Sequence, residues 1–392
     1  MSNTLIAVLA ALMSLLPLSA VAAESDADKQ EWAAWYQRSV ELRRLDQRAM
    51  ARELAQAGRQ VPIKPVPHDK FGFDPDQPVG FYSTDAGRRV ADIVLSYQTP
   101  SGGWSKRVDM SSHFRRRGEA FGLSKGYQPT FDNYATSTQM HVLARAYAAT
   151  GEDKYRAAFR RALDLILDAQ MPNGGWPQSY PLDGGYHNLI TYNDKSQVNL
   201  LELLRPVVEA SAPYDLATAE QRNRAANALI RGVQCLLITQ VVIGGELTIW
   251  GAQHDPFTLA PAAARAFEPA ALASQESAEI LLFLMDLPQP PAAVVQAVEA
   301  AMRWFRARQL AGVRWDKLKG ELVNDESAKP HWARFYDPVS QEPVFGDRDG
   351  AVYTQVSQVS LERRLGYGWY STAPAKLEKA FTAWKQTLAQ KP

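Results

Sequence analysis

Two copies of one loop constrain this chain more than any other feature. Gln98–Trp104 reads "QTPSGGW" and Gln170–Trp176 reads "QMPNGGW". Each follows a stretch with apolar residues three and four apart, the spacing of an amphipathic helix. A third such stretch ends at Gln240 and leads into "VVIGGELTIWGAQHDP". The glutamines recur about every 70 residues, twice the period of a short helix pair. The paired glycines permit tight turns with positive φ, and each tryptophan can cover the end of a hairpin. The expected fold is all-α dominated, a helical-hairpin (α/α)3-type toroid with an open groove and few short strands. "GGELTIW" and "AVYTQV" are the best strand candidates. The plainest role of the repeated loop is scaffold.

The first residues call for a different treatment. "TLIAVLAALMSLLPLSAVAA" is an apolar run ending in small residues, and Ala20-Val21-Ala22 fits an A-x-A cleavage site. Residues 1–23 are therefore expected to be a signal peptide, and the protein to be exported to the periplasm or medium of a Gram-negative bacterium, without stable membrane association afterwards. Cys235 is the single cysteine, so no disulfide or zinc-type spacing exists. Residues 24–80 hold an arginine-rich helix, Trp32 to about Leu54, and a proline-rich connector; 81–392 form the main domain. The net charge of +1 offers no general attraction to nucleic acid, so recognition of an acidic ligand has to be local.

Four polar clusters stand out from the repeat. Asp132 and Asn133 in "TFDNYATSTQ" and Asn193 and Asp194 in "ITYNDKSQVN" both stand at helix starts. Either pair alone reads as a helix N-cap. Occurring at equivalent ends of successive hairpins, they bring two carboxylates and two amides toward one groove, an oxygen-rich set that suits Ca²⁺. Arg265 lies in the alanine-rich "APAAARAFEPAALASQES", with Glu268 as its obvious ion-pair partner. Arg334 and Arg348 fall among turn formers in "ARFYDPVSQEPVFGDRDG", where solvated loops are the alternative reading, and Lys106 follows the first Trp loop. A polyanion with a carboxylate on every sugar would bridge such a metal and such guanidiniums.

Taken together and in order, "YQTPSGGWSKRVDM", "TFDNYATSTQ", "ITYNDKSQVN", "WGAQHDP", "ARAFEPAALASQES", "RFYDPVSQEPVFGDRDG" and "RRLGYGWY" resemble the pectate lyases of polysaccharide lyase family ten. The resemblance runs from about Phe81 to the C-terminus. It implies calcium-dependent β-elimination of α-1,4-polygalacturonate to 4,5-unsaturated oligogalacturonates, with polygalacturonate or oligogalacturonates as partners. By motif, Asp132 and Asp194 become metal carboxylates and Arg265 the catalytic base. Asp132, Arg334, Arg348 and Lys106 become substrate-binding residues. An arginine base implies an alkaline optimum, since guanidinium rarely loses its proton near neutrality. Two positions depart from that pattern: Lys195 follows Asp194 and Tyr134 follows Asn133, which bears on calcium affinity and subsite shape.

Three other readings compete. The spacing Q-x-x-x-G-x-W also resembles the QW repeat of triterpene cyclases, but the acidic D-x-D-D or D-C-T-A-E cluster of those enzymes is absent. A toroidal glycoside hydrolase would need two facing carboxylates, for which Asp132 and Asp194 are formal candidates. A non-catalytic periplasmic pectin-binding protein would keep the arginines and lack turnover.

Overall fold

The computed structural model describes residues 26–124 and 128–390. The expected signal peptide lies outside the described residues; among the described ones no helix is long and apolar enough to cross a membrane. Helices dominate, with only short strands between them. The chain forms two compact units, the first built from residues up to Asn188 with Asn199–Gly232, the second from Leu189–Val198 and the chain from Val233 onward.

In the first unit the repeated loop joins helices in a regular way. α1 (Asp26–Gln56), α2 (Asp85–Ser96), α3 (Ser137–Thr150) and α4 (Asp153–Ala169) belong to it. Each Trp indole caps the helix that precedes its loop: Trp104 Nε1 donates to Val94 O at 2.7 Å and Trp176 Nε1 to Ile166 O at 2.9 Å. Each Gln amide then bonds twice. Gln98 donates to Gly102 O across the loop and to Ala158 O of α4; Gln170 donates to Gly174 O and to Ala228 O. The first glycine of each pair is obligatory on two counts. Gly102 and Gly174 have φ of 119° and 90°, and a Cβ on either would collide with the carbonyl of Arg161 or Arg231.

α1 is not a detached arm. Trp35 donates to Ala169 O, Tyr180 donates to Trp35 O, and Arg38 pairs with Asp168. The helix is longer than its apolar spacing predicts, contacts α4, and buries Trp35, Ser39, Leu42 and Met50.

The second unit repeats the device. Trp250 Nε1 donates to Leu236 O at 2.6 Å, while Gln240 donates to Thr248 O and Ala297 O. The tryptophan half of the device recurs a fourth time, without the glutamine half, since Gln309 is exposed. Trp332 Nε1 donates to Phe305 O, four residues before Gln309, at 2.9 Å. There the loop is expanded by an antiparallel hairpin, Val313–Asp316 with Glu321–Asn324. Four short strands, in the order Val352–Tyr353, Pro343–Gly346, Phe335–Tyr336 and Leu272–Ala273, make the largest sheet. Phe335, Phe345, Trp315 and Trp369 pack there into an aromatic core.

Candidate active site

In the first unit, Asp132 sits on a turn hung from the first Trp loop. Thr130 N donates to Trp104 O, Phe131 N to Gln178 O, and Trp104 N to Thr136 Oγ1. The turn, Asp132–Tyr134, is a single 3-10 turn in which Asn133 has φ 51°, ψ 38°. Tyr134 follows at φ 61°. Two successive non-glycine residues with positive φ store strain, which persists where the surroundings over-determine it. Asp132 is therefore no helix cap; Thr136 holds that position. The Asp132 carboxylate is buried, and its Oδ2 receives both the Lys106 ammonium and the Gln178 amide. Lys106 is placed by being two residues beyond Trp104. Ser105, Gln128, Thr130, Ser179 and His187 line a small polar cleft beside Lys106.

The second unit contains a turn with the same backbone. Asn193–Lys195 is again a 3-10 turn, and Asp194 has φ 51°, ψ 32°, followed by Lys195 at φ 63°. The amides of Tyr192 and Asn193 both donate to Ala252 O, and Ile190–Thr191 pairs antiparallel with Gln253–His254. The "WGAQHDP" motif thus serves as the anchor of this turn. His254 is fully buried, takes a bond from Gly251 N at Nε2 and faces Leu259 O through Nδ1. Burial holds its pKa down at about 4, so it is neutral and structural.

The two turns are offset by one residue in chemistry. Asp132 and Asn193 occupy the first, buried position; Asn133 and Asp194 occupy the second, left-handed one. Asp194 is consequently exposed where Asp132 is buried. Equivalent placement of the two carboxylates, which the repeat predicts, does not hold.

The second unit gathers four guanidiniums, Arg334 at the Asn193–Asp194 turn and three others at Phe267. Arg334 lies between the strands Trp332–Ala333 and Phe335–Tyr336, not in a solvated loop. Its Nη2 donates to Glu276 Oε1 at 2.5 Å and to Asn193 Oδ1 at 3.1 Å. Burial opposes its charge, but Glu276, Tyr367, Asp194 and Glu268 overcome that and keep it firmly protonated. Buried as it is, Arg334 positions the Asn193–Asp194 turn. Arg265 forms a bidentate pair with Glu268, Nε–Oε2 2.7 Å and Nη2–Oε1 2.5 Å, and Tyr367 donates to the same Glu268 at 2.7 Å. Burial alone would raise the Glu268 pKa; Arg265 and Tyr367 outweigh it and hold it below the usual range. Arg265, Arg348 and Arg363 all face the Phe267 ring, at 4.7, 5.7 and 4.7 Å from its centroid. Arg348 is exposed and paired with Glu362, which also holds Arg363.

Sequence reasoning overlooked Gln178, Glu276, Arg363 and Tyr367. "SQES" and "RRLGYGWY" contain three of them, but no local spacing marks a residue whose partner is 58 or 99 positions away. Among the described residues no three His, Cys, Asp or Glu side chains converge as a metal cage. Exposed Asp194 could serve an ion that draws most of its six to eight oxygens from a bound anion and water.

Each unit thus carries its own polar feature: a Lys106–Asp132 pair beside a polar cleft in the first, and an arginine cluster around Phe267 in the second. The pectic acid lyase family matches residues 98–378. Among solved structures, a family 10 polysaccharide lyase from Cellvibrio cellulosa is 34% identical and superimposes with a TM-score of 0.68, covering 77% of this chain and 95% of its own. An aspartate-to-alanine variant of a family 10 polysaccharide lyase from the same organism, in complex with trigalacturonic acid, matches with the same figures. No curated protein matches the chain. The chain belongs to the pectic acid lyase family and is a polysaccharide lyase.

Proposed function

We propose that the protein is a pectate lyase that cleaves α-1,4-linked polygalacturonate by β-elimination. The observation that carries this reading is the second unit's arginine cluster, Arg265, Arg348 and Arg363 around Phe267, connected through Glu268, Tyr367 and Arg334 to the turn that carries exposed Asp194. Guanidinium grips carboxylate through two parallel hydrogen bonds, so such a cluster suits a polymer carrying one carboxylate per sugar. The related enzyme's complex with trigalacturonic acid supports the same substrate class.

In the reaction the C5 proton passes to a base, its electron pair forms the C4=C5 double bond, and the C4–O4 bond breaks. The departing O4 takes a proton from water. Arg265 is the proposed base. Arg265 is bonded to Glu268 through both Nε and Nη2, so it has to release Glu268 and give up a proton to solvent before it can take the C5 proton. The deprotonated fraction of any guanidinium grows with pH, and activity should rise on the alkaline side. Exposed Arg348 would bind a substrate carboxylate, and Lys106 and Asp132 would bind substrate through their charge and hydroxyl-binding capacity. Arg334 acts indirectly, through Asn193.

Asp194 is the proposed protein ligand for calcium, since it is exposed and Asp132 is already compensated by Lys106. When bound, calcium would acidify the C5 proton and stabilise the enolate-like charge that develops on the sugar carboxylate. Export, through the apolar N-terminal run, belongs to this reading because the polymer lies outside the cytoplasm.

The test uses polygalacturonate with calcium at alkaline pH. Ultraviolet absorbance from the unsaturated product is expected, and Arg265→Lys should abolish it while leaving substrate retention intact. New reducing ends without absorbance would mean hydrolysis. Retention without either product would mean a binding protein.

A further inference from the structure

The segment that precedes the family match carries a second charged surface. α1 packs inward through Trp35, Ser39, Leu42 and Met50. On the opposite side Arg44, Arg48 and Arg52 recur every four residues, and all three are exposed. Steps of four place them on one face, about 6 Å apart along the axis. Like charges at that spacing weaken a helix. A sequence that keeps three in succession breaks a local rule, and such breaks concentrate where function demands them.

The carboxylates of the same stretch are turned away. Asp46 accepts from Ser101 N and Oγ, both at 2.7 Å, and Glu53 is held by Arg115 and the Gly118 amide. Among the described residues no carboxylate pairs with Arg44, Arg48 or Arg52. The Glu53 clamp also brings the loop with exposed Arg117 to the end of α1, where Gly118 lies close to exposed Arg59. Every cation of this patch is an arginine.

We propose that this face is a secondary binding surface for anionic galacturonan, separate from the catalytic cluster and supplied by the N-terminal helix. The inference rests on the galacturonan reading above. Exposed ion pairs are weak singly and screened by salt. A polymer with a carboxylate on every sugar makes several at once, and multivalency converts them into retention. A trisaccharide gains nothing from a second surface, so polymer and oligomer should respond differently.

The experiment compares the full-length wild type with the triple variant Arg44→Ala, Arg48→Ala, Arg52→Ala. Affinity electrophoresis through polygalacturonate gels at low and high salt is paired with turnover of trigalacturonate. Polymer affinity is expected to fall about fivefold at low salt, with the difference vanishing at high salt. Trigalacturonate kcat/KM should be unchanged. The corresponding triple lysine variant should recover part of the affinity, as charge without the bidentate fork. Equal polymer affinity in wild type and alanine variant would overturn the proposal. So would an equal loss of trigalacturonate turnover in a variant whose melting temperature is unchanged, which would make the face part of the catalytic site. Loss of binding to phosphatidylserine-containing vesicles with polygalacturonate retention intact would assign the face to a membrane surface and also overturn it. If the wild type neither retains nor cleaves polygalacturonate, the galacturonan reading itself fails, a result distinct from failure of the variant alone.

Discussion

The turns Asp132–Tyr134 and Asn193–Lys195 share a backbone and differ in where the carboxylate sits. Both place an Asx residue at φ 51°, and both are followed by a second residue with positive φ. In the first, the charge occupies the buried position and is met by Lys106 and Gln178. In the second, the amide is buried against Arg334 and the charge is turned to solvent. One architectural device thus produces two chemical roles: a fixed, neutralised carboxylate and an accessible one.

The largest effect should come from the anchor of the second turn. Arg334→Ala leaves Glu276 buried without its partner, and removing half of a buried pair costs about 3–5 kcal/mol. Urea unfolding should show that loss; a change under about 1 kcal/mol would mean the pair contributes little. The next effect separates the two aspartates. Asp132→Asn should destabilise by about 1–2 kcal/mol, moderated because Lys106 is partly exposed. Asp194→Asn should leave stability within about 0.5 kcal/mol, because asparagine also accepts the left-handed conformation. Equal losses in both variants would erase the distinction between the turns.

Acid should act on the second turn through His254. Burial depresses its pKa to about 4 from the ordinary 6.5, so the unfolded chain binds the proton more readily. Stability is complete above pH 6.5 and declines as pH falls toward 4, by about 1.4 kcal/mol per unit for one such group. His141, also depressed to about 4 by burial, adds the same sign. Melting temperature measured from pH 7 to pH 4 should fall, and His254→Gln should flatten the decline. The smallest effect belongs to Lys195. Lys195→Ala should lower the calcium needed for half-maximal lyase activity about twofold, by removing an adjacent, half-buried cation.

Much of this was legible in the sequence because it is local and periodic. The helices and the three Gln–Trp loops follow from spacing, and the polar candidates Arg265, Arg334, Arg348 and Lys106 stand out as residue types in their local stretches. The fourth loop was hidden, since the Leu310–His331 insertion separates Trp332 from Gln309. The offset between the aspartates was hidden as well. "FDNY" and "YNDK" both present an Asp beside an Asn, and only the backbone shows which of the two is buried. Arg334 read as a loop residue because its strands are two residues long, too short to register as alternation. Gln178, Glu276 and Tyr367 owe their roles to tertiary neighbours that no sequence window contains.

Calcium dependence tests the division of roles most directly. Lyase activity on polygalacturonate should be titrated with calcium in the wild type, Asp132→Asn and Asp194→Asn. Asp194→Asn should need at least about tenfold more calcium for half-maximal activity, the loss of one charged ligand. Asp132→Asn should lower the maximum rate with the calcium requirement nearly unchanged. The reverse pattern, a calcium requirement raised by Asp132→Asn and untouched by Asp194→Asn, would contradict the assignment of the exposed turn to the cation.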